Sequence, residues 1–110
     1  MTKILRIYLS NTDTLHHQSL YEIIAREAQD FGLQGATVLN GIMGFGPSSK
    51  LRSNKFWELN VKYPMVIELI DEESKLRNFL EKIKPELKDV HKGIVVTLHD
   101  VEVVFQTRGI

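Results

Sequence analysis

The chain of 110 residues contains no cysteine, which excludes disulfide frameworks, thiolate zinc sites, iron–sulfur clusters and cysteine nucleophiles together. It also has no surplus of charge: 14 Lys and Arg balance 14 Asp and Glu, for a formal net charge of zero. Affinity for a polyanion comes from excess cations along the phosphates, so no nucleic-acid partner is expected. Zero net charge also opposes self-association only weakly. Long hydrophobic runs are missing, and the opening MTKILRIYLS has neither a continuous apolar stretch nor a small-residue cleavage site. The reading is an unexported, soluble, cytoplasmic protein. Low-complexity tracts, charge blocks and Pro/Gly/Ser linkers do not divide the chain, so residues 1–110 are taken as one domain. At this length about two-thirds of the unfolded surface can be buried, enough for an unaided core.

What is present has a clear order. Ile4 to Leu9 is mostly apolar and rich in β-formers, which predicts a first strand from Lys3 to Ser10. A polar stretch with the pair His16-His17 leads to Leu20, Ile23, Ile24, Ala28 and Phe31, spaced by threes and fours, with Gly32 as a left-handed stop. That is an amphipathic helix. Ala36 to Met43 predicts a second strand, and Gly44 to Lys55 an extended connection. Phe56 to Val61 resumes a strand-like pattern, and Met65 to Ile70 is the clearest strand. Pro64, with no N–H to donate, belongs at a strand start, an edge or a bulge. Asp71 is the expected N-cap of a second helix, with Glu72 and Glu73 in its first turn. Leu76, Phe79, Leu80 and Ile83 mark its apolar stripe, and Pro85 is expected to end or kink it. Gly93 to Gln106 is dense in valine, with a polar break at His99-Asp100, and suits either one bulged strand or two short ones.

The pattern is β-α-β, a long loop, then β-α-β. Right-handed crossovers with interleaved halves give an α+β, ferredoxin-like split β-α-β sandwich: an antiparallel sheet with two helices on one face. The other face would be bare, and a contiguous apolar patch of that kind marks an interface. Oligomerisation through the sheet follows.

The chemistry concentrates in Gly41-Ile42-Met43-Gly44-Phe45-Gly46-Pro47-Ser48-Ser49-Lys50. Glycines let main chain approach a ligand closely and adopt positive φ, so that successive N–H groups can face an anion; the serine hydroxyls and Lys50 add donors. No Gly-Lys-Ser/Thr unit is present, and Ser49 stands where the dinucleotide fingerprint needs a third glycine. A phosphate cradle and a glycine-rich loop without a ligand are both compatible with the residues. His16-His17, with His91 and His99 far off, read as surface histidines, since a metal needs three or four convergent ligands. Glu72-Glu73 serve a helix start, and no catalytic residue is assigned. Trp57 and Tyr63, flanked by Lys55 and Lys62, read as packing aromatics before a stacking platform for single strands. Arg108 reads as a solvated terminal arginine.

The order Leu5-Arg6-Ile7-Tyr8, Leu20-Tyr21-Glu22-Ile23-Ile24, Gly35-Ala36-Thr37-Val38-Leu39-Asn40-Gly41-Ile42-Met43-Gly44-Phe45-Gly46 and Pro64-Met65-Val66-Ile67-Glu68-Leu69-Ile70-Asp71 closely resembles the PII-like family catalogued as domain of unknown function 190. The match runs over nearly the whole chain. The resemblance implies a homotrimer of ferredoxin-like subunits, related to PII signalling proteins, with adenine-nucleotide sites in the clefts between subunits. It implies that Gly41, Gly44, Phe45, Gly46, Ser48 and Ser49 form the nucleotide motif, with Lys50 and Arg52 beside it. The 44–55 loop would then sense ligand and touch a regulated partner, a membrane transporter or another protein. Loops that grip triphosphate in PII proteins are not evident near Gly93, so ADP, AMP or a cyclic nucleotide fits no worse than ATP. Arg108 is then a candidate to reach a phosphate across a subunit boundary. No cofactor or metal is required. Two other classes fit the residues: a small phosphate-handling enzyme with Lys50 or Arg52 as electrostatic clamp, and a trimeric metal-binding or scaffold protein using His16 and His17.

Overall fold

The computed structural model describes residues 1–46, 52–53 and 62–109. In chain order they form β1 (Thr2–Ser10), β2 (Thr14–Leu15), β3 (Gln18–Ser19), α1 (Leu20–Phe31), β4 (Ala36–Asn40), β5 (Met43–Gly44), β6 (Arg52–Ser53), β7 (Pro64–Glu72), α2 (Glu73–Asp89) and β8 (Val95–Asp100). The main sheet has the order β4-β7-β1-β8, with every neighbouring pair antiparallel. Thus β1-α1-β4 and β7-α2-β8 are two split β-α-β units, each threading a strand of the other between its own two. The expected α+β ferredoxin-like architecture is the one observed.

Side-chain alternation fixes the layers, because successive residues of a strand point to opposite faces. Leu5, Ile7 and Leu9 of β1 and Met65, Ile67 and Leu69 of β7 face the helices, and all are buried. Leu20, Ile24 and Ala28 of α1 and Leu76, Phe79 and Ile83 of α2 close over them. Phe31 meets Phe79 edge-on, with ring centroids 5.4 Å apart. Ser19 makes no side-chain cap; instead Leu20 N–H donates to the Asp13 carbonyl at 2.9 Å. Gly32 ends α1 at φ 92°, as expected, and Leu33 N–H returns to the Ala28 carbonyl at 3.1 Å.

Several boundaries differ from the sequence reading. Strand pairing of Ala36 onward stops at Asn40, and Met43–Gly44 leaves the main sheet to pair with Arg52–Ser53. The expected strand over 56–61 lies outside the described residues. Asp71 is not the N-cap of α2: β7 runs on to Glu72, opposite Thr2, and Glu72 takes the cap position. The buried Asp71 carboxylate accepts from Glu72 N–H at 2.7 Å and Gln34 N–H at 3.1 Å, tying β7 to the entry of β4. Pro85 neither ends α2 nor stops it early, since the helix continues to Asp89. Pro85 is solvent-exposed, while Leu87 and Val90 beyond it pack against the core and hold the last turn. The valine-rich end is a single strand, Val95–Asp100. Among the described residues no helix is long and apolar enough to cross a membrane.

Candidate functional site

The order β4-β7-β1-β8 gathers the ends of β1 and β4 and the beginnings of β7 and β8 at one end of the sheet. A cleft of about 810 Å³ opens there. Its floor is Tyr8, Leu9 and Ser10 with Val66 and Val95; one wall is Gly41 and Met43 to Gly46, the other His91 to Gly93, and Lys62 to Pro64 lies between.

Each part is held by identifiable contacts. The turn after β1 is knotted by Asp13, buried, whose carboxylate accepts from Ser10 N–H at 2.9 Å while its own N–H donates to the Ser10 carbonyl at 3.1 Å. Asn11 brackets Tyr63: Tyr63 N–H donates to the Asn11 side-chain carbonyl at 2.7 Å, and Asn11 N–H donates to the Tyr63 carbonyl at 3.1 Å. Pro64 follows at the strand start, as its missing donor requires. Gly41 N–H donates to the Pro64 carbonyl at 2.7 Å, and a Cβ at Gly41 would stand 2.6 Å from Pro64 Cγ. No real side chain tolerates that approach, so Gly41 is glycine because main chain lies directly on the proline ring. Gly44 repeats the contact more loosely, at 3.3 Å.

This changes the physical account of the glycine segment. The sequence left two readings of the glycines open, both with positive φ: amides facing an anion, or a glycine-rich loop without a ligand. Neither Gly41 nor Gly44 is in the left-handed region, and the Gly41 amide is spent on Pro64. Met43 and Gly44 are also drawn into a two-residue ladder opposite Ser53 and Arg52. Of the named candidates, Gly41, Gly44, Phe45 and Gly46 line the cleft together. Arg52 is placed only through its main chain, opposite Gly44, and Ser48, Ser49 and Lys50 lie outside the described residues.

The cationic and imidazole side chains of the cleft, Lys62, His91 and Lys92, were not singled out for it in sequence. They carry no motif, and only the strand order could have found them, since Lys62 precedes β7 and the other two precede β8. His91 is exposed, as a surface histidine should be, yet it stands on the cleft wall in the left-handed region at φ 55°. His16 and His17 are the two central residues of the β2–β3 hairpin, with φ 53° and 65°, the signs a type I′ turn needs. Among the described residues no group of three His, Cys, Asp or Glu converges as a metal would require. Glu72 pairs with the Met1 amino group at 2.7 Å. Glu73 pairs with Arg77 at 2.8 Å, and that bond holds its carboxyl below the usual carboxylate range. Tyr63 packs partly on the core and partly into the cleft; Trp57 lies outside the described residues. Arg108 is exposed and follows Gln106, which bonds to Gln34 at the other end of the sheet, roughly 20 Å along β7 from Pro64. Within one subunit it does not reach the cleft.

A split β-α-β sheet with two helices on one face defines an α+β, ferredoxin-type fold. The family model described as DUF190, Uncharacterized ACR, COG1993, matches residues 2–103, and the chain belongs to that family. A UPF0166 protein of Aquifex aeolicus is 39% identical over 103 residues, covering 94% of this chain and 93% of that one. A UPF0166 protein of Methanocaldococcus jannaschii is 32% identical over 97 residues, covering 88% and 89%. Among solved structures, CPII, a nitrogen regulatory PII-like protein from Thiomonas intermedia K12 bound to ADP, AMP and bicarbonate, superposes with a TM-score of 0.68 at 20% identity, covering 93% of this chain and 87% of that one. That likeness establishes the fold.

Proposed function

We propose that residues 1–110 form one PII-like regulatory domain of the cytoplasm, which binds an adenine nucleotide and performs no catalysis. The observation that carries this is the cleft of about 810 Å³, which Gly41, Gly44 and Gly46 line together with Lys62, Lys92, Tyr8 and Tyr63. Its size suits a small-molecule site, and its chemistry is that of an anion with an aromatic body: cations at the rim, apolar and aromatic surface within. The Thiomonas protein of the same fold is bound to ADP and AMP, which favours those two nucleotides.

In this reading the phosphates lie between Lys62 and Lys92, and the glycine wall works through closeness of approach. Phe45, Gly46, Ser48, Ser49, Lys50 and Arg52 complete the site, Gly44 stays close to Pro64, and Gly41 acts as the pivot on Pro64. Three copies associate through the open face of the sheet, so that each cleft lies at a subunit boundary. The 44–55 loop responds to the ligand and meets a regulated protein, such as a membrane transporter. The solvent-exposed Ile42 and Phe45 at its base offer apolar anchors for that contact. Coupling requires ligand contacts that differ between loop states.

Calorimetry with ADP, AMP, ATP and cyclic AMP tests the reading. ADP or AMP is expected to bind, with Lys62→Ala and Lys92→Ala each weakening it roughly tenfold or more, because a charge-assisted bond is lost. Lys84→Ala, on the exposed side of α2, is the control and leaves binding unchanged. Absence of heat from all four nucleotides at high protein concentration overturns it.

A further inference from the structure

The seam between the two helices holds a pair of acids that no part of the nucleotide reading uses. Glu27 on α1 faces Glu86 on α2. The Oε2 atoms of both are shut off from solvent, and neither finds a hydrogen-bond partner. Two carboxylate oxygens are acceptors only, so nothing in the ionised pair can satisfy either atom. One proton placed between them satisfies both.

We propose that Glu27 and Glu86 hold one proton in common across the α1–α2 seam, and that its release sets the two helices against each other. Release sends the proton to water and leaves two carboxylates, one negative charge more than before. The charged groups around Glu27 are Glu86 and Lys82 on α2 and Asp30 on its own helix. Lys82 opposes the build-up of negative charge, but its ammonium lies 5.8 Å from the centre of the Phe31 ring, which divides its attention. Asp30 adds to the build-up. Burial first, then the hydrogen bond that a protonated Glu27 makes to Glu86 and the charge of that group, push the Glu27 carboxyl from 4.5 up to about 7.

The sign follows from linkage. Between about 4.5 and 7 the unfolded chain has released this proton while the folded one retains it, so the folded state binds more protons and stability falls as pH rises. Above 7 both states are ionised and the slope disappears. The device lies in the helix layer; no residue of α1 or α2 lines the cleft. Its fate is therefore independent of whether a nucleotide binds.

Thermal unfolding followed by circular dichroism at pH 5, 6, 7 and 8 is the test. The midpoint of the unmodified protein is expected to fall from pH 5 to 7 and to level off towards pH 8. Glu27→Gln, whose amide donates to Glu86 without a titration, should flatten that dependence and raise the midpoint at pH 8 by roughly 3–5 °C. Should the variant track the unmodified protein at every pH, the idea is overturned. Carbon-13 titration of the Glu27 carboxyl in the unmodified chain gives an independent reading: a midpoint near 7 that drops towards 4.5 in Glu86→Gln supports the shared proton, and an ordinary midpoint in both overturns it.

Discussion

On the helix side of the sheet, β1 and β7 present Leu5, Ile7, Leu9, Ile67 and Leu69, none more than 5% exposed; on the other side the same strands present Tyr8 at 38% and Ile70 at 39%. The alternation that serves one face dictates the composition of the other. Across the open face Leu39, Val66, Tyr8 and Val95 stand in one row over all four strands, followed by Thr37, Glu68, Arg6 and Thr97, then by Ile70, Ile4 and His99. An apolar row bordered by a polar one is compatible with the interface proposed for this face, whereas the helix side is the composition of a core. The chain covers only one end of the open side itself, where Ile4 is 7% exposed. Asp100 pairs with Lys3 on the β8 side, and Gln106 bonds to Gln34 beside the far edge, so residues 101–106 cross one end of the sheet. The exposed Val104 and Phe105 leave that strap with apolar surface of its own.

The largest effect that separates the two faces is a cavity in the core. Phe79 is fully buried among both helices and both central strands, and Phe79→Ala is expected to cost about 3–5 kcal/mol. Val66→Ala, on the open row, should cost under about 1.5 kcal/mol when measured at a dilution where the chain is a single copy. Urea unfolding measures both. Equal losses at the two positions would break the distinction between core and interface.

The second effect concerns association. If the open row is where copies meet, a charge placed in it is desolvated on assembly, and Val66→Asp should convert trimers to single copies in sedimentation velocity while the helical circular dichroism persists. Trimers that survive Val66→Asp would mean that another surface closes the assembly.

The same contrast explains how much was legible beforehand. Leu5, Ile7 and Leu9 announce a strand, and Leu20, Ile24 and Ala28 with Gly32 announce a capped helix, because both signals are periodic and local. Asp71 and Pro85 misled for the opposite reason. Each has a strong local preference, for a cap or a break, that long-range contacts override: Asp71 is held by Gln34, and the turn after Pro85 by the packing of Leu87 and Val90. The cleft was half visible. Its glycine wall is contiguous in sequence, but Lys62, His91 and Lys92 come together only through the strand order. Even the glycines were assigned the wrong physical cause at Gly41, whose requirement comes from Pro64, distant in sequence.

The smallest effect is the most discriminating. Arg6 Nε donates to Glu68 Oε2 at 2.8 Å in the polar row, with the two side chains 36% and 23% exposed. In a single copy water reaches both groups, so Arg6→Gln should move the thermal midpoint by no more than about 3 °C, and less still at high salt. Once copies cover the face, the same pair loses its water, and removing the arginine strands Glu68 as a buried charge. The substitution is then far more damaging at concentrations where the protein is assembled than where it is not. Midpoints measured for Arg6→Gln and the unmodified chain at low and high protein concentration therefore report which kind of surface the open face is. A difference that widens with concentration marks an interface, and one that stays constant marks a face that remains in water.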